Sequence, residues 1–184
     1  PEEMKWAVQS ICDKDSNDGA LIAEAIIAGT CVGVTDGSFK GKHGTASFVV
    51  EADYSTGRLK GSNRVPGQPD DQGAYRSELS GLLGIVILVQ AVCARHGITS
   101  GGIAVGCNNQ EAILRSFDPE RYTTEKGQHF DLILAIRKLV EQSPLKWSFR
   151  HVSGHQDDFP YDVLDRWATL NVEMDSEAKD YWQY

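Results

Sequence analysis

Basic residues are scarce in this sequence. Its 184 residues include 18 Lys and Arg against 26 Asp and Glu, which gives a formal net charge of -8. This balance, with a pI of ≈ 5.1, argues against a general electrostatic affinity for nucleic acid. Contact with a polyanion would need a local site where bound cations offset the acids, or basic surface from a partner domain.

Cysteine is also sparse and has no metal-ligand spacing. The chain contains no CxxC or Cys/His pattern among its four cysteines, which are Cys12, Cys31, Cys93 and Cys107. We expect free thiols, and hence a reducing intracellular location such as the cytoplasm or nucleus.

Long hydrophobic runs are missing as well. The most apolar stretch, Leu79 to Cys93, is interrupted by two glycines and Gln90, so it is too short and too broken for a membrane span. The polar N-terminus does not look like a secretion signal. We therefore expect no membrane partner.

The remaining composition is that of a globular protein. Hydrophobic residues make up 41% and charged residues 24% of the chain, which is long enough to bury a substantial core. We expect residues 1–29 to form a helical lead-in and residues 30–184 to form one domain.

Periodicity within this domain predicts an α/β fold. Three strand-like segments with short links predict an antiparallel meander: Cys31 to Thr35, Ala46 to Ala52 and Arg58 to Val65. A long helix over Ala74 to His96 follows. Beyond it we predict a strand over Ile103 to Cys107 and a short helix that is capped by Asn108 or Asn109 and runs to about Phe117. A helix, a strand and a closing helix follow: Phe130 to Val140, Leu145 to Val152 and Val163 to Trp182. This order predicts a five-stranded mixed sheet with helices on both faces.

Three acidic residues and one asparagine lie at positions on these elements that suggest a shared site. Asp36 ends the first predicted strand, Glu78 lies in the first turn of the long helix, Asn108 follows the fourth strand, and Asp175 lies in the closing helix. Strand ends and helix starts can converge at one edge of a mixed sheet, so these four positions can share a site. Their oxygen ligands suit a hard cation such as Mg²⁺.

These motifs resemble the type 1 ribonuclease H family, including the ribonuclease H domains of reverse transcriptases, over roughly Thr30 to Tyr184. The segment DGS matches the family's opening Asp motif, YRSEL carries its helix Glu, and CNNQ occupies the strand-end position. The family's Asn-x-x-x-Asp is present as Asn171 to Asp175. SGH places His155 on the loop whose His assists product departure. CNNQ and the DGSFKG context most resemble retroelement domains.

The resemblance implies hydrolysis of the RNA strand of RNA–DNA hybrids by a two-metal mechanism, with two Mg²⁺ ions for which Mn²⁺ can substitute. The implied catalytic residues are Asp36, Glu78, Asn108, Asp175 and His155, and the first four are also the metal ligands. The implied substrate-binding residues are Gly37, Ser38, Phe39, Lys40, Arg76, Asn109, Gln110 and Asn171. The implied partners are an RNA–DNA hybrid and a tethered reverse transcriptase polymerase domain.

Asn108 departs from the family pattern, which has an acid there. Asparagine keeps the size of aspartate and one oxygen ligand but loses the negative charge, so this copy is expected to be impaired. A deliberate Asp-to-Asn change that lets a substrate complex survive would explain it, and so would natural degeneration. The alternative function is a non-catalytic hybrid-binding or structural module of this fold within a reverse transcriptase. A third possible function is a nuclease of the same fold that cuts DNA. It is disfavoured because those enzymes generally space their acidic residues differently from this chain.

Aromatic residues near the C-terminus carry no such signal. We expect Trp167, Tyr181 and Trp182 to pack against the core or the closing helix rather than to stack on bases. His43 shows no ligand spacing and is interpreted as structural.

Overall fold

The computed structural model describes residues 2–8, 10–14, 17–52, 57–121, 127–155 and 164–183. The strands are β1 (Ser10–Lys14), β2 (Cys31–Lys40), β3 (His43–Glu51), β4 (Arg58–Arg64), β5 (Gly102–Cys107) and β6 (Lys146–His151). The α-helices are α1 (Ala20–Ala28), α2 (Ala74–His96), α3 (Gln110–Phe117), α4 (Phe130–Gln142) and α5 (Arg166–Asp180). Short 3-10 helices cover Glu2–Val8, Pro69–Asp71 and Tyr181–Gln183.

The strands form one mixed sheet in the order β1-β4-β3-β2-β5-β6. The predicted meander is present, because β2, β3 and β4 pair antiparallel, while β5 and β6 extend the sheet in parallel from β2. The predicted count of five strands is wrong. Ser10–Lys14, within the lead-in, adds a sixth strand antiparallel to β4. Its five residues lack an alternating apolar pattern, and it is held at the sheet edge by its pairing with β4.

Strand β2 is longer than predicted. It was expected to end near Asp36, but the ladder with β3 continues to the pair Lys40–His43. The tight turn is made instead by Gly41 and Lys42, both with positive φ (56° and 64°). Asp36 therefore lies within a strand, opposite Ser47 of β3 and one residue beyond Thr35–Cys107, the last pair of the ladder with β5.

Helices cover both faces of the sheet. On one face α5 packs Leu170 and Met174 against Val32, Val34 and Val49. The larger core lies on the other face, where α2 is its central helix and α1, α3 and α4 surround it. The site residues on β2, α2 and α5 are therefore held by elements from both layers.

Helix α2 owes its apolar character to this central position. The expectation that the stretch Leu79 to Cys93 is too short and too broken for a membrane span does not hold for the whole helix, whose length and composition would allow it to cross a membrane. In this protein, 78% of its most apolar window is buried inside the fold. Gly84 lets it approach the sheet closely, because a Cβ there would overlap the ring of Phe48. The hydropathy of α2 is thus accounted for by core packing.

Candidate functional site

Asp36 on β2 and Glu78 on α2 form a buried carboxyl pair. Their relative exposures are only 4% and 5%. The backbone N–H of Gly37 donates to Asp36 Oδ1 at 2.9 Å and to Glu78 Oε1 at 3.1 Å, and the two side chains also share a hydrogen bond. One peptide group therefore holds both carboxyls at the same point.

Glycine at position 37 is what allows this contact. A Cβ on Gly37 would lie 2.7 Å from Ser77 Cβ and 2.9 Å from the backbone nitrogen of Glu78. Real Cβ atoms do not come so close to backbone atoms, so any larger residue would push α2 away from β2. The DGS sequence thus serves the close crossing of a strand and a helix.

The protonation of the pair reflects its burial. Burial raises the pKa of Asp36 to about 6, with a further rise from the negative charge of Asp175, against the hydrogen bonds from Glu78 and Gly37 and the charge of His155. Burial raises the pKa of Glu78 well above its ordinary value, and the charge of Asp36 adds to this rise. No lysine or arginine among the described residues forms an ion pair with either carboxyl. Full ionisation of the pair therefore calls for a cation from outside the chain.

Asp175 and His155 affect this pair through their charges. The negative charge of Asp175 raises the pKa of Asp36, and the charge of His155 lowers it. Asp175 also forms an ion pair with Lys179 at 2.6 Å, one turn further along α5. His155 has a positive φ of 53°, a backbone conformation that non-glycine residues adopt infrequently. Charge thus relates Asp175 and His155 to the buried pair, and their combination with Asp36 and Glu78 into one functional site stays a prediction.

Asn108 lies at the end of β5, beside the loop that carries His155. A Cβ on Gly154 would lie 3.0 Å from Asn108 Nδ2, so this loop packs directly against the amide. The carbonyl oxygen of Asn108 is 2.9 Å from His151 Nε2. The position predicted for a fourth ligand is therefore tied to the loop and to the end of β6.

Cys107 is a site residue that the sequence did not indicate. Its buried thiol donates to Glu78 Oε2 at 3.4 Å and accepts from the backbone N–H of Asn109 at 3.4 Å. Burial raises the pKa of this thiol well above its ordinary value, and the charge of Glu78 contributes. The feature of the sequence that could have identified Cys107 as a site residue is its position directly before Asn108 on a buried strand.

The predicted substrate-binding residues fall into an exposed and a buried group. Phe39 (43% exposed) and Lys40 lie at the open end of β2, and Gln110 opens α3 on the surface. Ser38 is partly buried, and its carbonyl accepts from Ser77 Oγ at 3.2 Å. These positions can be reached by a ligand, with the backbone of Gly37 behind them.

The other predicted substrate contacts are engaged within the protein. Arg76 is buried and makes a bidentate hydrogen-bonded pair with Asp131, at 2.9 and 2.6 Å. Asn109 caps α3 by accepting from the N–H of Ala112. Asn171 is 1% exposed, and its Nδ2 has no hydrogen-bond partner among the described residues. Their roles in substrate binding remain predictions.

The donor chemistry of the site fits a divalent cation. Asp36 and Glu78 offer buried oxygens that gain from an added positive charge, and Asp175 adds a third carboxylate nearby. Among the residues that the structure describes, however, no group of three or more His, Cys, Asp or Glu is arranged as a metal cluster. The neutral Asn108 and the Asp175–Lys179 pair both reduce the charge available to an ion.

No protein-family model matches this chain, and no curated protein matches it in sequence. Solved structures do match. LC11-RNase H1, isolated from compost by a metagenomic approach and solved in complex with an RNA/DNA hybrid, is 13% identical, with 84% of this chain and 99% of that chain covered and a TM-score of 0.54. LC9-RNase H1, a type 1 RNase H with the type 2 active-site motif, is 13% identical, with 82% and 70% covered and a TM-score of 0.55. At such identities the likeness shows the fold alone, which is ribonuclease H-like.

Proposed function

We propose that this chain is a ribonuclease H-like, metal-dependent endonuclease for the RNA strand of RNA–DNA hybrids, in a form impaired by Asn108. The observation that carries the proposal is the buried Asp36–Glu78 pair, which is held by one peptide N–H and has no lysine or arginine partner in the described chain. A bound cation would offset the cost of burying two carboxyls together, which makes the pair a candidate cation site. The fold, shared with a structure solved on an RNA/DNA hybrid, supports the choice of substrate.

Asp36, Glu78 and Asp175 would hold the metal, with Asn108 as a neutral fourth ligand. Two bound Mg²⁺ ions, or Mn²⁺ in their place, supply activation of the attacking water and stabilisation of the departing 3′ oxygen. The chain's own part is to fix the carboxylates. Gly37 N–H and Cys107 Sγ–H do this for Glu78, by donating to its two oxygens.

His155 and the open end of β2 would act on the substrate. The His155 imidazole is close enough for its charge to affect Asp36, and a histidine can carry a proton to a departing group near neutral pH. The backbone beyond Gly37 and the side chain of Gln110 can meet the 2′-hydroxyls by which RNA differs from DNA. Both lie on exposed parts of the described chain.

Asn108 is the weak member of this set. An amide in place of a carboxylate removes one negative charge from the cation site, next to the loop of Gly154 and His155. Removing a unit charge a few ångströms from a divalent ion costs several kcal/mol in a poorly solvated site. We therefore place this copy at low activity.

The second candidate function is a non-catalytic hybrid-binding or structural module. It is favoured by the Asp175–Lys179 pair, in which the cation of the chain itself neutralises one expected ligand. In that case the fold would serve binding alone. A reverse transcriptase polymerase domain, tethered to this one, would supply the basic surface that a chain of net charge -8 lacks.

Cleavage of a labelled RNA–DNA hybrid by the Asn108→Asp variant tests the proposal. We expect Mg²⁺-dependent cutting of the RNA strand at a rate at least about a hundredfold above that of the parent chain. Asp36→Asn in the same background should abolish the activity, and an RNA duplex should stay intact. A restored aspartate that cuts only DNA, or cuts nothing while the protein binds hybrid, would favour the other candidates.

A further inference from the structure

A second pocket lies away from the carboxyl pair, where the ends of β3 and β4 meet the C-terminal 3-10 helix. It has a volume of ≈ 390 Å³, and its lining includes His43, Thr45, Arg64, Val65, Tyr181 and Trp182. This volume falls in the range of small-ligand sites. None of these side chains has a place in the proposed cleavage chemistry.

The register of the sheet gathers positive charge at this pocket. Lys40 pairs with His43 across β2 and β3, and Arg64 pairs with Thr45 across β3 and β4. Two cationic side chains, Lys40 and Arg64, thus lie beside His43 at one corner of a protein whose net charge is -8. Lys42 in the adjoining turn is also exposed, at 3.7 Å from the exposed Asp70. The corner is therefore basic in an otherwise acidic molecule.

An aromatic side chain is fixed at the same place. Trp182 Nε1 donates to Ser38 Oγ at 3.3 Å, and its ring meets His43 edge-on with the ring centroids 6.3 Å apart. Tyr181 and Trp182 are partly exposed, so part of each ring remains accessible beside the closing helix. Basic groups beside a held indole are the combination by which proteins bind unpaired nucleotides, through stacking and phosphate contacts.

Strand β2 connects this corner to the carboxyl pair. Lys40 follows Asp36 by four residues, a distance of about 13 Å along an extended strand. A base-paired strand rises about 3.4 Å per nucleotide along the helix axis, so the corner lies within a few nucleotides of the carboxyls. A nucleic-acid strand bound across Asp36 can therefore reach the pocket.

We propose that this pocket binds one unpaired nucleotide of the RNA strand where that strand runs beyond the hybrid. Trp182 stacks on the base, and Arg64 and Lys40 contact the adjoining phosphates. A base still paired within a duplex is too wide and too enclosed to enter a pocket of this size, which selects an unpaired one. The proposal rests on the proposed function in one respect, since it takes the strand over the carboxyl pair to be RNA.

Binding of the full-length chain to labelled hybrids tests the pocket. Fluorescence anisotropy with Ca²⁺ in place of Mg²⁺, and with the RNA checked for integrity afterwards, would compare a blunt hybrid with hybrids carrying a short unpaired RNA extension at either end. One extension should tighten binding about tenfold, the order expected for stacking of a base on an aromatic ring. Trp182→Ala and Arg64→Gln should each remove most of this gain without weakening binding to the blunt hybrid.

Matched controls separate the pocket from general charge and from folding. Lys146→Gln removes an exposed cation at the opposite edge of the sheet and should leave both affinities unchanged. Trp182→Phe keeps a stacking ring and should retain most of the gain. Equal affinity for blunt and extended hybrids, or equal weakening of both by Trp182→Ala, would overturn the pocket. Binding of single-stranded RNA through Trp182 without any hybrid binding would overturn the proposed function instead and leave the pocket standing.

Discussion

Glu51 and Glu78 are both buried glutamates, but their surroundings differ completely. Glu51 on β3 is 1% exposed and lies between two guanidinium groups, with Arg58 Nε at 3.1 Å and Arg166 Nε at 2.9 Å. Glu78 on α2 is 5% exposed, and its partners are a peptide N–H, a thiol and the carboxyl of Asp36. The first acid is neutralised within the fold. The second is placed against another acid.

This difference separates a structural acid from a candidate ligand. The Glu51 cluster fastens α5 to the sheet, because Arg166 opens that helix and Arg58 also reaches Glu173 in it. The Asp36–Glu78 pair forms no ion pair with a lysine or arginine among the described residues, and it lowers stability whenever both carboxyls ionise. Burial alone does not mark a functional acid. Burial without a lysine or arginine partner is what marks the Asp36–Glu78 pair as a candidate cation site.

The largest expected effect is the loss of stability on changing Glu51. Glu51→Gln removes the buried carboxylate that lies between the guanidinium groups of Arg58 and Arg166, and breaking a buried ion pair by loss of one partner costs about 3–5 kcal/mol. Urea denaturation should show this as a lower midpoint. Glu78→Gln is the matched control, and without metal it should leave stability unchanged or higher, since it removes a buried acid that lacks a cation. Similar losses of stability in both variants would contradict the distinction between Glu51 as a structural acid and Glu78 as a candidate ligand.

The second effect is steric and lies at the contact between β2 and α2. Gly37→Ala should lower the free energy of unfolding by about 2–3 kcal/mol, because its Cβ would overlap Ser77 and the backbone of Glu78. Gly73→Ala, at the start of the same helix, has open space around the new methyl group and should change stability by less than about 1 kcal/mol. Equal losses at both glycines would contradict the close crossing.

The third effect concerns pH. Both carboxyls of the Asp36–Glu78 pair hold their protons more tightly in the folded protein than in the unfolded chain. Their contribution to stability is therefore fully present below about pH 4 and is lost as pH rises through about 6, and the shift of Asp36 alone corresponds to about 2–3 kcal/mol in the metal-free protein. Denaturation in EDTA at several pH values would measure this loss. It should shrink in Glu78→Gln, and added Mg²⁺ should restore stability more at pH 8 than at pH 5.

The smallest effect is expected at Cys107. Its thiol donates a weak hydrogen bond to Glu78 Oε2, so Cys107→Ala and Glu78→Gln should couple by about 0.5–1 kcal/mol in a double-mutant cycle. Cys107→Ser retains a donor and should keep most of the coupling. Additive effects in the alanine cycle would show that the thiol does not hold Glu78.

The sequence predicted the central meander and the long helix, because these depend on periodicity, while the grouping of Asp36, Glu78 and Asp175 by motif order stays a prediction. It missed β1, whose position at the sheet edge comes from backbone pairing rather than from an apolar pattern. It ended β2 too early, since DGS is common in turns and only the packing of Gly37 on α2 shows why it stays extended. It also missed Cys107, because a lone cysteine on an apolar strand looks the same whether or not an acid faces it.

Calorimetric titration of Mg²⁺ into the parent chain and into Asn108→Asp tests the central claim most directly. If Asp36, Glu78 and Asp175 form a divalent-cation site with Asn108 as its neutral member, the aspartate should tighten binding at least about tenfold, or 1.4 kcal/mol. Asp36→Asn in the same background should remove that binding. Equal Mg²⁺ affinities in the parent and Asn108→Asp, or affinity unaffected by Asp36→Asn, would contradict the account.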